Sequence, residues 1–269
     1  MELDIFVVDA FTEQQFKGNS AAVVPVEEWL PDKLMQNIAA ENNLSETAYI
    51  KNVGVNQYEI RWFSPLTEID FCGHATLASA HVLFNEFGVK NQIEFVIQVV
   101  GSLNVTLNAV NDIEMTFPNQ APEPVSTIPA QLVEGLSKQP TEVLKNRQAY
   151  FAVYSDEQEV LDVSYDSEQL TQLAPLDVVV TAISEDYDFV SRYFWPANGG
   201  DEDPVTGSIH AGLAPFWANK LGKTNLLAYQ ASKRGGVLKC RVSDKTVVIS
   251  GKGVLYLKGK INVEPDSAL

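Results

Sequence analysis

RWFSPLTEIDFCGHATLASAH, residues 61–81, has a partner about half a chain later in RYFWPANGGDEDPVTGSIHAGL, residues 192–213. Arg61-Trp62-Phe63-Ser64-Pro65 returns as Arg192-Tyr193-Phe194-Trp195-Pro196. Acids follow each copy, Glu68 and Asp70 in the first and Asp201, Glu202 and Asp203 in the second. A glycine then opens an apolar helical pattern, Gly73 before His74 and Gly207 before Ser208. Three features recurring in the same order read as a duplicated unit. The Pro-rich segment Pro118–Pro129 separates the copies, so the chain divides into residues 1–118 and 119–269, with the carboxy-terminal strand available to complete the first half.

Around this repeat lie many runs of strand length, among them LDIFVVDAF, AAVVPV, ETAYI, IEFVIQVV, LDVVVTAI, TVVIS and GVLYLKGKINV, punctuated by Gly, Asn, Pro and Asp. Helical patterns are fewer, at residues 31–43, 74–86, 130–138, 167–174 and 208–220. Many strands with few helices indicate an α+β protein of two similar halves rather than a doubly wound sheet. Duplicated halves predict equivalent helix starts facing a shared cleft, a favoured place for a small-molecule site.

Composition narrows the partners. A formal charge of −16 over 269 residues repels phosphate backbones and anionic lipid, so nucleic acid and membrane are poor partners. The start, MELDIFVVDAF, carries acids where a signal peptide needs basic residues, and a cytoplasmic location is the default expectation. The two cysteines, Cys72 and Cys240, are expected as free thiols. An acidic protein that takes an anionic substrate must supply local donors.

Those donors are the helix starts at Gly73 and Gly207, where free N–H groups and the positive dipole end suit a carboxylate. Glycine turns ahead of buried helices would look the same. Asp203, Thr206 and Ser208 cluster at the second start, where an ordinary cap is an equally good reading. Glu46, in LSETAY, stands between a helix end and a strand; solvated, it is inert, but buried it can take and return a proton near neutral pH. Cys72 at a helix start is either a thiol of lowered pKa or a small buried hydrophobe. Metal ligation by Cys72, His74 and His81 is disfavoured, since His81 lies two turns beyond His74 and no HExxH or CxxC spacing occurs.

Taken together, DAFT…FKGNSAAVV, LSETAY, IRWFSPLTEIDFCGHATLASAH, RYFWPANGGDEDPVTGSIHAGL and QASKRGGVLKCRV resemble the PhzF family of phenazine-biosynthesis-like isomerases along nearly the whole chain. The resemblance implies the diaminopimelate-epimerase fold, two α/β halves each with a curved sheet around a central helix and the site in the cleft between them. It implies proton transfer without a cofactor or metal, a small anionic substrate, and a homodimer. By matching position, Glu46 is the general acid/base, and His74, Asp203 and Ser208 are its partners. Gly73 and Gly207 cradle a carboxylate, and Asn19 lines the site, although Ser20 stands where the family often has proline. Epimerase relatives carry a cysteine before each glycine; here Cys72 fills the first position and Thr206 the second. A threonine hydroxyl is too weak an acid or base to replace the second thiol.

The leading expectation is therefore an isomerase that moves a proton by means of Glu46. Two rivals stand beside it: an epimerase or racemase using Cys72 with Glu46 or Asp203, and a non-catalytic binding protein on the same fold.

Overall fold

A computed structural model describes residues 1–97 and 101–264. Its strands and helices fall into two compact units, one built from Met1–Thr116 with the segment from Ser250 onward, the other from Phe117–Ile249. In chain order the elements up to the boundary are β1 (Glu2–Ala10), β2 (Asn19–Val26), α1 (Asp32–Asn42), β3 (Glu46–Gly54), β4 (Gln57–Phe63), β5 (Glu68–Ile69), α2 (Gly73–Asn85), β6 (Gln92–Ile97), β7 (Gly101–Leu107) and β8 (Ile113–Pro118). They continue as β9 (Glu123–Pro124), α3 (Ala130–Gly135), β10 (Glu142–Lys145), β11 (Ala149–Val153), α4 (Glu157–Asp162), α5 (Ser167–Thr171) and β12 (Asp177–Ile183). Then come β13 (Phe189–Phe194), a single 3₁₀ turn (Pro196–Asn198), β14 (Glu202–Asp203), α6 (His210–Leu221), β15 (Asn225–Gln230), β16 (Gly236–Val242), β17 (Thr246–Gly251) and β18 (Gly253–Asn262). The run IEFVIQVV is strand as far as Ile97; its last three residues lie outside the described ones.

The units share one strand grammar. In the first, β1 and β2 are antiparallel, β2 and β3 parallel, β3 and β4 antiparallel, β4 and β6 parallel, β6 and β7 antiparallel. In the second, β10 to β13, β15 and β16 repeat that series sense for sense. Register agrees too: Phe63 pairs with Thr47 and Glu68, and Phe194 with Val178 and Glu202. The motif that betrayed the repeat also performs the same task twice. Arg61 makes a fork of two bonds to Glu68 (2.7 and 2.7 Å) and stacks over Phe63, while Arg192 does the same to Glu202 (2.8 and 3.0 Å) and Phe194. A planar guanidinium matches a carboxylate in two bonds, which is why arginine recurs there.

Each unit also encloses a helix. Eleven residues of α2 are buried on every side, the signature of a helix walled in rather than laid on a surface. It packs on β1, β2, β3 and β18. In the second unit α6 packs on β15 and β16, and Trp217 donates to Thr181 Oγ1 on β12 at 2.9 Å. Pro215 inside α6 has no N–H to give the Ala211 carbonyl, and the Gln120 amide takes that role at 3.0 Å. The helix pattern expected at 208–220 starts two residues late, because Gly207 to Ile209 form a tighter turn closed by i→i+3 bonds such as His210 N–H to Gly207 O (3.2 Å). Helix α4 escaped the sequence reading: it is six residues long with one buried side chain, too short for an apolar period, and is set by the Asp156 cap on the Glu159 amide. No helix among the described residues is long and apolar enough to cross a membrane.

Arg61 Nη1 also donates to the exposed carboxylate of Asp32 at 2.9 Å, whereas Arg192 Nη1 donates to the backbone carbonyls of Val160, Leu161 and Val163 that finish α4. Arg192→Lys is expected to cost about 2 kcal/mol in urea unfolding, more than Arg61→Lys, because a point-like ammonium leaves the part-buried carbonyls of Val160 and Val163 without donors. Equal losses for the two substitutions would contradict this.

Candidate active site

Three loops of the first unit bring the site together. Helix α1 ends when Asn43 takes a left-handed turn, and Asn42 Nδ2 holds Thr47 Oγ1 at 3.0 Å, so Glu46 enters β3 in a fixed direction. Gly18 has φ +64° and its missing Cβ would stand 2.1 Å from the Ala10 carbonyl, so only glycine makes the turn that delivers Asn19 to the head of β2. Ser20, next along, hydrogen-bonds Asp9 across the strand pair. Cys72 is the extended residue before α2, and Gly73 and His74 are the first two residues of the helix.

All four side chains are buried: Asn19 fully, His74 at 5 %, Glu46 at 7 % and Cys72 at 7 % exposure. His74 Nε2 lies 2.7 Å from Glu46 Oε2. With the ring protonated the two form an ion pair, and Oε2 meets no other hydrogen-bond partner among the described residues. On the opposite edge, His74 Nδ1 is 3.0 Å from Asn19 Nδ2 and 3.4 Å from Cys72 Sγ, and Ser45 Oγ donates to Asn19 Oδ1 at 2.9 Å. That chain fixes the tautomer. With Asn19 presenting its NH₂ to Nδ1, that nitrogen accepts, and the neutral ring carries its proton on Nε2, the nitrogen beside Glu46. Turned over, the same amide accepts from an imidazolium Nδ1–H and donates to Ser45.

Burial alone would push the His74 pKa down, but the negative groups beside it reverse the sign and hold it well above 6.5. Cys72 and Glu46 both contribute to that rise, while burial and the Glu46 charge together push the Cys72 thiol up to about 11, against the opposite pull of His74. The helix start was expected to favour the thiolate; desolvation overrides it. The donor atoms of Glu46, Cys72 and His74 lie within 4.8 Å of one another, so a cation has ligands here, with Glu46 rather than His81 as the third. Binding one requires stripping protons from both thiol and imidazole, against the electrostatics of the pocket.

Asp203, Thr206, Gly207 and Ser208 belong to the second unit. Thr206 Oγ1 donates to Asp203 Oδ2 at 2.5 Å, which makes the hydroxyl a fixture of the carboxylate and no acid in its own right. Gln230, wholly buried and missed in the sequence, binds this loop three ways: Nε2 to Asp203 O (2.9 Å) and to Thr206 Oγ1 (3.3 Å), and Oε1 from the Thr206 amide (2.9 Å). His210 Nδ1–H donates to Thr206 O at 2.9 Å, as Thr76 Oγ1 donates to Cys72 O (2.6 Å) at the same place in the first unit. Residue by residue, then, Cys72 answers to Thr206, Gly73 to Gly207 and His74 to Ser208.

Against known proteins, residues 8–259 match the family model described as phenazine biosynthesis-like protein. An uncharacterized isomerase of Pseudomonas aeruginosa is 46 % identical over 264 residues, 98 % of this chain and all of that one. The crystal structure of a PhzF-family protein of Enterococcus faecalis superimposes with a TM-score of 0.93 at 43 % identity, covering 98 % of this chain and 100 % of the other. At 10 % identity, where only fold is compared, a probable proline racemase of Agrobacterium radiobacter superimposes at 0.65 over 98 % of this chain and 94 % of its own, as the diaminopimelate-epimerase-like architecture requires.

Proposed function

This chain belongs to the phenazine biosynthesis-like family of isomerases, and from that premise we propose that it moves a proton within a small carboxylate-bearing substrate, with Glu46 as the group that takes the proton and returns it. The observation that carries this reading is the setting of Glu46: a buried side chain with one oxygen 2.7 Å from the His74 ring and no other partner for that oxygen among the described residues. Such an oxygen has a lone pair to offer. A C–H bond next to an unsaturated system breaks toward it, the electron pair spreads over the π system, and the new O–H then protonates another carbon of that system. Nothing is oxidised or reduced, and one carboxyl group suffices when both transfers occur on one face.

His74 answers the change of charge on Glu46, and Asn19 with Ser45 keeps the ring turned toward it in either protonation state. The amides at the α2 start supply donors for charge that develops on the substrate. In the second unit, Ser208 and the amides of the turn that contains Gly207 offer the same kind of donor, with Asp203 as an acceptor for an amino or hydroxyl group.

The competing epimerase reading rests on one contact, Cys72 Sγ at 3.4 Å from His74. Deuterium wash-in separates the two. Small unsaturated carboxylates and 2-amino or 2-hydroxy acids are incubated in D₂O and followed by proton NMR. Cys72→Ala is expected to exchange and isomerise within about threefold of the wild type, since a thiol near pKa 11 is protonated at neutral pH, whereas Glu46→Gln is expected to be silent. Loss of exchange in Cys72→Ala with survival in Glu46→Gln would hand the chemistry to sulfur.

A further inference from the structure

Strand register places a second buried acid where Glu46 stands in the first unit. Glu46 opens β3 opposite Ala21, and Asp177 opens β12 opposite Ala149, each one residue ahead of the partner of Phe63 or Phe194. Asp177 is 9 % exposed and both its oxygens are engaged: Oδ2 accepts from Tyr193 OH at 2.6 Å and Oδ1 from Asn198 Nδ2 at 2.8 Å. From Tyr193 the chain of contacts runs on. Gln148 Nε2 is 3.1 Å from the tyrosine oxygen and 3.0 Å from Ser208 Oγ, and Ser208 is the counterpart of His74. In the first unit the acid touches the helix-start residue directly; in the second it reaches it through two side chains.

We infer that Gln148 and Tyr193 are positioning residues that hold the Ser208 hydroxyl as a hydrogen-bond donor. The polarity follows from the inventory of donors. A carboxylate that already accepts at both oxygens makes the Tyr193 hydroxyl give its only hydrogen to Asp177. The tyrosine oxygen is then an acceptor, so Gln148 turns its NH₂ toward it. The second hydrogen of that NH₂ points to Ser208 Oγ, which therefore accepts, and its own hydrogen is released for an acceptor elsewhere. Trp62, the ring matching Tyr193, has a buried Nε1 with no hydrogen-bond partner among the described residues, so the fold itself does not require a polar chain at this place. A hydroxyl committed to donation is what an anionic substrate oxygen needs, and one already turned the right way does not reorganise during reaction.

The functional part of this inference rests on Ser208 meeting the substrate, as proposed above; the hydrogen-bond polarity does not. Neutron diffraction from deuterium-exchanged crystals reads the polarity without any substrate. The expected map has both Gln148 deuterons between Tyr193 and Ser208 and the Ser208 deuteron turned away; a Ser208 deuteron pointing at Gln148 would overturn the inference. Kinetics use the carboxylate that shows the fastest deuterium wash-in. Gln148→Leu is expected to lower kcat/KM about tenfold, the size of one oriented hydrogen bond, and to have no further effect in a Ser208→Ala background. Tyr193→Phe, which keeps the ring, is expected to show the same non-additivity if Gln148→Leu folds poorly. A full tenfold loss in the Ser208→Ala background would refute the positioning role. Full activity in Ser208→Ala alone would instead refute the substrate contact, leaving the neutron map to decide the polarity.

Discussion

Glu46→Gln is expected to lower the isomerisation rate by about 10²–10⁴-fold, the usual contribution of a positioned acid/base group, while the protein keeps its fold. The substitution is nearly isosteric in a site that is 7 % exposed, so packing against β2 and the His74 ring survives. What is lost is a lone pair able to bind a proton and the charge that organises its neighbours. Two of those neighbours report the loss without any substrate. His74, held well above 6.5 by negative charge against the opposing effect of burial, is expected to titrate at lower pH once Glu46 is neutral. The Cys72 thiol, pushed up to about 11 by burial and by Glu46, moves down toward its ordinary value. Imidazole NMR titration and thiolate absorbance measure these shifts directly. An inactive variant in which neither group moves would point to misfolding, and an active one would remove Glu46 from the chemistry.

Much of this architecture was legible because duplication leaves a chemical trace. Arg61 and Arg192 are kept by the same need, a fork of bonds to the acid on the adjoining two-residue strand, so RWFSP and RYFWP remained alike. The glycines at 73 and 207 marked the helix entries for a similar reason. Glu46 and His74 were legible as candidates, yet only burial makes them a pair, and burial depends on strands remote in sequence.

The unseen residues share a physical cause. Gln148, Asp177, Tyr193 and Gln230 act through hydrogen bonds to partners 16 to 60 positions away, and a neutral glutamine carries no local signature. Asp177 had one faint signal: it opens LDVVVTAI as Glu46 opens ETAYI, an acid at the head of an apolar strand ahead of an RxF motif. Cys72 misled for the opposite reason. Its sequence position promised a stabilised thiolate, but a helix dipole contributes only about 0.3–1 kcal/mol at an exposed site, and burial beside Glu46 outweighs it.

His210 is expected to make the protein lose stability in acid, and the sign can be worked out from its surroundings. The ring is wholly buried at the start of α6, with Nδ1–H committed to Thr206 O, Phe189 5.9 Å away and no partner for Nε2 among the described residues. Burial lowers its pKa from 6.5 to about 4, with the Thr206 bond opposing that shift. Between those two pH values the unfolded chain binds a proton that the folded protein refuses, so unfolding becomes easier as pH falls. The stabilisation is fully present above about pH 6.5 and is lost on approach to pH 4. At 1.36 kcal/mol per unit, the loss approaches about 3 kcal/mol. His210→Asn places an amide nitrogen where Nδ1 stands and does not titrate, so its packing cost is the same at every pH. Urea unfolding of both proteins from pH 7 to pH 4 should therefore show the wild type's advantage shrinking by about 3 kcal/mol; parallel curves would mean that the ring is already solvated or charged.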